Sequence, residues 1–243
     1  FKEFIKSQDK NGYTALHIAA KDGHDKVVSL LLGHFKNDLD IKNFIKTQDE
    51  DGYTALHLAA IMGHDKVVSV ILGHFKNDSE FNELIKTQDK NGRTALHIAV
   101  NGGHDKVISL LFGHFKNDSE LNEFIKSQNK DGFTALEIAV TDGHDNVVSV
   151  LLEHFKNDSE LKEFIKSQNK YGNTALEIAA ANGHDNVVSV LLEHFKNDSE
   201  LREFIKSHKK NGFTIMHLAA IMKKDKVVSV FLGHFKNESE FKE

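Results

Sequence analysis

Histidine is the residue type in this sequence with the widest potential for chemistry. The 243-residue chain has 16 histidines and no cysteine, and imidazole can be a metal ligand or a general base. Two series recur at 40-residue spacing: His24, His64, His104, His144, His184; and His34, His74, His114, His154, His194, His234. Ligands of one zinc ion lie within roughly 2.1 Å of it, whereas packed helices lie roughly 8–10 Å apart. We therefore expect no metal site, and expect the histidines of the Leu-His and Gly-His pairs to bond loop backbone.

The sequence also argues against a calcium-binding loop, because of the spacing of its residues, and against an active site, because of the symmetry of the repeats. TQDEDG, residues 47–52, resembles the start of an EF-hand loop, but its twelfth position is Leu58, where that loop needs a bidentate Glu. No phosphate-binding loop, dinucleotide fingerprint, zinc-protease motif or nucleophile elbow occurs in the sequence. Ser and His recur identically, whereas an active site needs one asymmetric arrangement. We predict that the chain is not an enzyme and uses no cofactor.

The elements that must position these side chains repeat along the whole sequence. NGYTALHIAAKDGHDKVVSLLL at residues 11–32 returns as DGYTALHLAAIMGHDKVVSVIL at residues 51–72, and four more times. The units are 4–43, 44–83, 84–123, 124–163, 164–203 and 204–243, without insertions. They predict a single array over residues 1–243. Residues 1–3 match the end of a preceding unit and no Met begins the sequence, so we expect it to be part of a longer one.

Each unit reads as three helices. Thr14 stands where an N-cap belongs, before a short helix of small and apolar residues that Gly23 ends. Asp25 opens a second helix that is apolar around nearly its whole circumference, which predicts burial against a neighbour on each side. Asn77, with Glu80 three residues later, resembles a capping box and predicts a third short helix.

The stretch DKNGYTALHIAAKDGHDKVVSLLL, residues 9–32, resembles the ankyrin repeat in all six units. The resemblance rests on the turn glycine, T-x-L-H-x-A-A, G-H and V-V-x-L-L-L. It implies an all-α, ankyrin-type helical solenoid that binds other proteins through its turn tips and its first-helix face. The unit has 40 residues rather than the family's 33, and the additional seven fall in HFKNDSELNEF, the predicted third helix. In the last unit Lys223-Lys224 replaces Gly-His, which places that turn in doubt because a left-handed non-glycine residue costs roughly 1–2 kcal/mol.

Comparison of the six units identifies the positions that vary. The first follows the turn glycine, the second is the pair before Gly-His, and the third, milder, precedes the turn glycine. In the ankyrin family these positions face the concave groove and carry partner contacts. The candidate partner-binding residues are Tyr13, Lys21, Asp22, Tyr53, Ile61, Met62, Arg93, Asn101, Phe133, Thr141, Asp142, Tyr171, Asn173, Phe213, Ile221 and Met222.

The chemistry of the variable residues favours contact with a protein over neutral drift. Drift at exposed positions favours polar residues, whereas this set includes Tyr, Phe and Arg, which dominate interface hot spots. The pair Ile61-Met62 occupies a position where another unit has Lys21-Asp22. We expect Tyr13, Tyr53, Ile61, Met62, Arg93 and Phe133 to form one continuous patch.

A second difference separates the fourth and fifth units from the others. Glu137 and Glu177 replace the Leu-His histidine, and Glu153 and Glu193 replace a glycine. One interpretation is a more acidic groove that suits a basic stretch of a partner. The other is a recent duplication of one unit, and the two are compatible.

Charge and hydropathy limit the partner classes. The net charge is −5 and the basic cluster Lys209, Lys210, Lys223 and Lys224 reads as a polar last unit, so we expect no nucleic-acid partner. No apolar run approaches the ~18 residues of a membrane span, and no signal peptide is evident. We expect a cytoplasmic location, or a host cytoplasm if the array resembles the effectors of intracellular bacteria. The alternative function is a structural array, natural or engineered, that self-associates end to end.

Overall fold

The computed structural model describes residues 2–75, 78–195, 204–205 and 212–236, and these residues form seventeen α-helices. The first helices of the repeats are α2 (Ala15–Lys21), α5 (Ala55–Ile61), α8 (Ala95–Asn101), α11 (Ala135–Asp142), α14 (Ala175–Asn182) and α16 (Ile215–Ile221). The second helices are α3 (Asp25–Gly33), α6 (Asp65–Leu72), α9 (Asp105–Phe112), α12 (Asp145–Glu153), α15 (Asp185–Glu193) and α17 (Asp225–Lys236). The third helices are α1 (Lys2–Ile5), α4 (Asp38–Ile45), α7 (Asp78–Ile85), α10 (Asp118–Ile125) and α13 (Asp158–Lys166). The predicted all-α class with about three helices per repeat is confirmed.

The first helix begins and ends where the sequence predicts. Thr14 Oγ1 accepts the His17 backbone N–H, and His17 Nδ1 accepts the Thr14 N–H at 3.1 Å, so each residue caps the other. Gly23 follows in the left-handed region with φ 73°, which ends the helix without a Cβ clash. Leu16 is fully buried, as the spacing of the apolar residues predicts.

The second helix is buried on several sides only in the inner repeats. Val67 in α6 is fully buried, and the same side chain in α9 and α12 is buried as well. The expectation of all-round burial is wrong for α3, because Val27 is 44% exposed and Leu30 is 75% exposed. α3 packs against α2 and α6, which cover only part of its apolar circumference.

The third helix is real, and an asparagine caps it as predicted. Asn117 Oδ1 accepts the Glu120 N–H at 2.7 Å, and Asn157 Oδ1 accepts those of Ser159 and Glu160 at 3.0 and 3.2 Å. The predicted cap at Asn77 lies outside the described residues. Phe124 and its counterparts on α4, α7 and α13 are buried, so these helices extend the core of their repeats, whereas Phe4 on α1 is exposed.

The internal contacts divide the chain into two compact parts, each larger than one repeat. They are called unit 1, residues 1–135, and unit 2, residues 136–243, and a single 40-residue copy is called a repeat. In unit 1 the first helices α2, α5 and α8 pack in sequence, as do the second helices α3, α6 and α9. In unit 2 α14 packs against α16, and α15 packs against both α12 and α17. The prediction of one array over the whole chain stays a prediction.

The last repeat keeps its helix–turn–helix form despite its altered turn. Lys223 takes the left-handed conformation, with φ 56°, and α17 begins two residues later. The predicted polar cluster is only partly visible, because Lys209 and Lys210 lie outside the described residues. Among the helices that the structure describes, none has both the length and the apolarity to cross a bilayer.

Candidate functional site

The tip of each turn in repeats 1 to 5 is built around one carboxylate or amide, which is buried in repeats 2, 3 and 5. Asp49 Oδ1 accepts the backbone N–H groups of Asp51 and Tyr53, at 2.9 and 2.8 Å. The Asp49 side chain lies below the tip and is buried. It therefore fixes the direction in which Tyr53 leaves the backbone. The same two bonds occur in the other tips, where the acceptors are Asp9, Asp89, Asn129 and Asn169.

Hydrogen bonds between successive tips make a rigid rim in unit 1. The Lys90 N–H donates to the Asp51 carbonyl at 2.9 Å, and the bonds Glu50–Asn11 and Lys130–Asn91 repeat this contact. Gln48 Nε2 donates to the carbonyls of both Gly52 and Gln88, at 2.7 and 3.0 Å. These bonds hold the side chains on neighbouring tips at a fixed spacing.

Two predicted residues, Tyr53 and Arg93, meet on this rim. Arg93 Nη2 donates to the Tyr53 hydroxyl, and the guanidinium carbon lies 5.9 Å from the centre of the Tyr53 ring. The Asp89 carboxylate, whose side chain is fully buried, receives Nε and Nη2 of Arg93, each at 2.8 Å. Burial by itself lowers the pKa of Arg93, but the bonds to Asp89 outweigh it and the pKa is raised. Arg93 is thus a permanent cation that is held partly by its own repeat.

Tyr13 and Lys21 form a similar pair on the first repeat. Lys21 Nζ lies 5.8 Å from the centre of the Tyr13 ring. Burial, and then the charges of Asp49, Asp51 and Asp9, raise the pKa of Tyr13. The phenol therefore stays protonated and remains a hydrogen-bond donor at the edge of an acidic tip.

Ile61 and Met62 supply the apolar part of this surface. They end α5, and they are 37% and 50% exposed. The backbone at this place is held firmly, because the Ile61 carbonyl lies 3.1 Å from Nε2 of His104 in the following repeat. The predicted exposed apolar pair is therefore rigidly presented to solvent.

Unit 2 carries its own exposed aromatic and apolar residues. Tyr171 is 63% exposed, and Lys170 Nζ lies 5.1 Å from the centre of its ring. Phe213 is exposed, with its ring edge-on to His217 at a distance of 5.7 Å between ring centres. Ile221 and Met222 end α16 and are exposed, as Ile61 and Met62 are in unit 1.

The remaining predicted residues differ in exposure. Phe133 in unit 1 and Asn173 in unit 2 are half-buried beside their turn glycines. The Thr141 carbonyl lies 2.9 Å from His184 Nε2 and also accepts Asn182 Nδ2 at 3.1 Å, so this residue has a structural role as well as an exposed side. Lys21, Asp22, Asn101 and Asp142 are exposed. The structure thus brings Tyr53 to Arg93 and Tyr13 to Lys21, whereas the single patch that also includes Phe133 stays a prediction.

The interpretation of Glu137 and Glu177 as acidic groove residues is wrong. Glu137 is buried, and Glu177 is half-buried with Oε2 accepting the Thr174 N–H at 2.9 Å. Glu177 takes the helix-capping role that His17 has in the first repeat. Its carboxylate is therefore hydrogen-bonded within the fold. Glu153 and Glu193, at the ends of their helices, are exposed.

Sequence reasoning missed the residues that support the surface. Asp89 anchors Arg93, and Gln48 joins three tips, yet both were read only as parts of a turn. Their signal is constancy within the chain, because Asp or Asn recurs at the Asp89 position before five turns and Gln precedes each of them. A polar residue that is kept in every repeat while its neighbours change is a candidate for such a supporting bond.

Histidines of both the Leu-His and the Gly-His pairs bond backbone carbonyls, as predicted, and several of these carbonyls lie in another repeat. Nε2 of His17 lies 3.1 Å from the Tyr53 carbonyl, and Nε2 of His64 lies 3.0 Å from the Lys21 carbonyl. Among the described residues, no group of three or more His, Asp or Glu side chains is placed to hold a metal ion.

Comparison with known proteins gives one positive result. The family described as ankyrin repeats (three copies) matches residues 1–83, 76–163, 127–202 and 157–240. No curated protein matches the chain.

Proposed function

The chain belongs to the ankyrin repeat family, and from this premise we propose that it binds a partner protein through its turn tips and the ends of its first helices. Repeats of this family are generally modules for protein–protein interaction. The observation that carries the proposal is the exposed pair Ile61-Met62 on the repeat of Tyr53, whose hydroxyl accepts Arg93 of the next repeat. An apolar pair, an aromatic ring and a cation together have the composition of an interface hot spot.

The rigidity of the surface supports binding. The tips of unit 1 are joined by backbone bonds and by Gln48, and Arg93 is held by Asp89. A surface that is already ordered loses little conformational entropy when a partner binds. The energy of a few exposed apolar contacts can therefore appear as affinity.

The test compares two pairs of substitutions in the full chain. I61S/M62S removes the apolar pair of unit 1, and I221S/M222S removes that of unit 2. The control L39S/L232S removes two apolar side chains that are as exposed but lie on third and second helices. Proteins cross-linked to the wild type in cells of its source are identified by mass spectrometry and then purified for titration.

The expected result is a loss of at least tenfold in affinity for one or both of the tip variants. Binding should survive in L39S/L232S, and thermal melting should be unchanged in every variant. Equal binding by the wild type and both tip variants would exclude these pairs as contacts. The pair whose substitution lowers the affinity would identify the unit that binds the partner.

One observation favours the second candidate, self-association. Ile18, Val27 and Leu30 on the first repeat form an exposed apolar face, whereas Leu58 and Val67, at the same positions of the next repeat, are buried. Light scattering over a range of concentrations tests this candidate. Growth in mass that V27S/L30S abolishes would support assembly through this face, and a constant monomer mass would exclude it.

A further inference from the structure

We propose that His17, His57 and His97 make the turn tips of repeats 1, 2 and 3 open in acid, whereas the Glu-capped tip of repeat 5 stays closed. The inference rests on the proposed function only in treating these tips as a binding surface. The opening itself is a property of the chain without any partner. Three features support it: the hydrogen bonds of each ring, its burial, and its connection to the contact residues.

The bonds of the three rings require the neutral form of histidine. In each repeat Nδ1 accepts the N–H of the N-cap threonine, at 3.1, 3.2 and 3.3 Å. The remaining proton therefore lies on Nε2, which donates to a carbonyl further along the chain. The acceptors are the Tyr53, Thr87 and Ser127 carbonyls, at 3.1, 3.2 and 3.1 Å. Each ring is thus a neutral bridge between a helix cap and a distant turn.

A second proton on such a ring removes the cap. Nδ1 would then become a donor to the threonine Oγ1, which lies 2.8, 2.8 and 2.9 Å away in the three repeats, and the threonine N–H would lose its acceptor. The rings cannot turn to water, because His17, His57 and His97 are buried. A buried cation without a matched anion is strongly unfavourable. Protonation therefore disfavours the closed tip.

The charges around the rings are too weak to reverse this effect. Burial lowers the pKa of His57 to about 4, although the charges of Asp89 and Asp49 and the backbone of Arg93 and Thr87 act in the opposite direction. Burial also lowers the pKa of His17 and of His97. The groups that face His17 are Asp49, Asp9 and the Tyr53 and Thr47 backbones, and those that face His97 are Asp89, Arg93 and the Ser127 and Phe133 backbones.

The rings are connected directly to the proposed contact surface. His17 donates to the carbonyl of Tyr53, the same oxygen that accepts the Asp49 N–H at 2.9 Å. The Tyr13 ring lies against His17 and the Tyr53 ring against His57, with centres 5.9 and 6.1 Å apart. Loss of the histidine bridge therefore releases the backbone that positions the two tyrosines.

Repeat 5 closes the same cap without a neutral base. Glu177 accepts the Thr174 N–H through its carboxylate, which needs no proton to do so. A β-bridge between Gln168 and Thr174 joins the two sides of this turn in addition. This repeat should keep its cap as the pH falls, because a carboxyl group retains an acceptor oxygen in either protonation state.

The direction of the pH effect follows from proton linkage. A histidine in the unfolded chain has a pKa of about 6.5, whereas that of His57 in the fold is about 4. The unfolded form therefore binds more protons, and stability is fully present above pH 6.5 and is lost as the pH falls toward 4. For His57 alone this linkage lowers the closing equilibrium constant by about 30-fold between pH 7.5 and pH 5.

The experiment is hydrogen exchange of the full chain, analysed by mass spectrometry at pH 7.5 and pH 5 with correction for the intrinsic exchange rate. Peptides that cover residues 48–60 report on repeat 2, and peptides that cover residues 168–182 report on repeat 5. We expect about 30-fold loss of protection at pH 5 in the first segment and less than threefold in the second. Equal losses in both segments would overturn the proposal.

Swapped substitutions test the cause. In H57E the pH-dependent loss at residues 48–60 should decrease to the part that His17 causes through the Tyr53 carbonyl, and H57Q should behave likewise because an amide accepts the same bond and does not titrate. E177H should introduce a loss at residues 168–182. If H57E does not fold, H57Q and E177H still decide the matter, and an unchanged pH response in both would refute the histidine mechanism. No partner is present, so the result is independent of the proposed binding function.

Discussion

Repeat 2 in unit 1 and repeat 5 in unit 2 share a backbone plan but close it with different chemistry. His57 caps its own helix and also donates to the Thr87 carbonyl of the next turn. Glu177 caps its helix through one carboxylate oxygen, and its turn is joined by a β-bridge instead. A neutral imidazole can accept and donate at once, whereas an ionised carboxylate can only accept. One exchanged residue per repeat therefore changes both the bonds that link repeats and the pH range in which they hold.

The anchors below the tips extend this contrast. Asp89 carries a charge, is fully buried, and binds both its own turn and Arg93. Asn169 makes the two backbone bonds of the turn with a neutral amide. The tips of repeats 1, 2 and 3 are thus held by aspartates and those of repeats 4 and 5 by the neutral amides of Asn129 and Asn169, and the following substitutions should separate the two arrangements.

Removal of the anchor should give the greatest loss of stability. D89A leaves two backbone donors and the half-buried Arg93 cation without their acceptor, which should lower the free energy of unfolding by about 3–5 kcal/mol. N169A removes only neutral bonds and should cost about 1–2 kcal/mol. Urea unfolding of the two full-length variants measures both values. Similar losses would mean that the charge of Asp89 adds nothing to the tip.

Substitution of the glycine that follows the first helix should also lower the stability more in unit 1 than in unit 2. A Cβ at Gly63 would lie 2.5 Å from the His104 ring, which is held at the Ile61 carbonyl. At Gly183 it would meet only the flexible side chain of Lys224. We expect G63A to cost about 3 kcal/mol or more, and G183A about 1–2 kcal/mol from its positive φ alone. Thermal melts of the two variants test this, and a larger shift for G183A would contradict it.

Removal of the third-helix caps should lower the stability least. Here the variant in unit 2 should lose more stability than the variant in unit 1. Asn117 accepts one backbone N–H, whereas Asn157 accepts two. N117A should cost about 1 kcal/mol and N157A somewhat more. Urea midpoints of both variants, with S159A as a surface control, provide the comparison. A greater loss in N117A would show that the number of bonds at the cap does not decide its value.

Much of the fold could be predicted from the sequence because its determinants are local. Thr14 before a small-residue helix, Gly23 after it, and Asn117 before Asp-Ser-Glu each specify a helix end within a few residues. The bonding of the Gly-His and Leu-His rings to backbone was also predicted, although the carbonyls that they reach lie in other repeats. The partial exposure of α3 was not predicted, because periodicity gives the apolar faces of a helix but not which of them is covered.

The site was harder to predict because it depends on contacts between repeats. Glu137 and Arg93 both occupy variable positions, yet Glu137 is buried in the fold and Arg93 is tied to Asp89. Variation therefore identifies positions that are free to change and does not tell whether a side chain points to a partner or into a cap. The pairs Ile61-Met62 and Ile221-Met222 are variable residues whose exposure agrees with the prediction.

A photo-cross-linking amino acid at position 61 tests most directly whether the changing positions contact a partner. The same probe at position 221 examines unit 2, and probes at Leu39 and Leu232, which are equally exposed, serve as controls. We predict a specific cross-linked protein from position 61 or position 221 and none from the two control positions. Cross-links of equal yield from all four positions, or from the controls alone, would contradict a partner surface on the turn tips and first-helix ends.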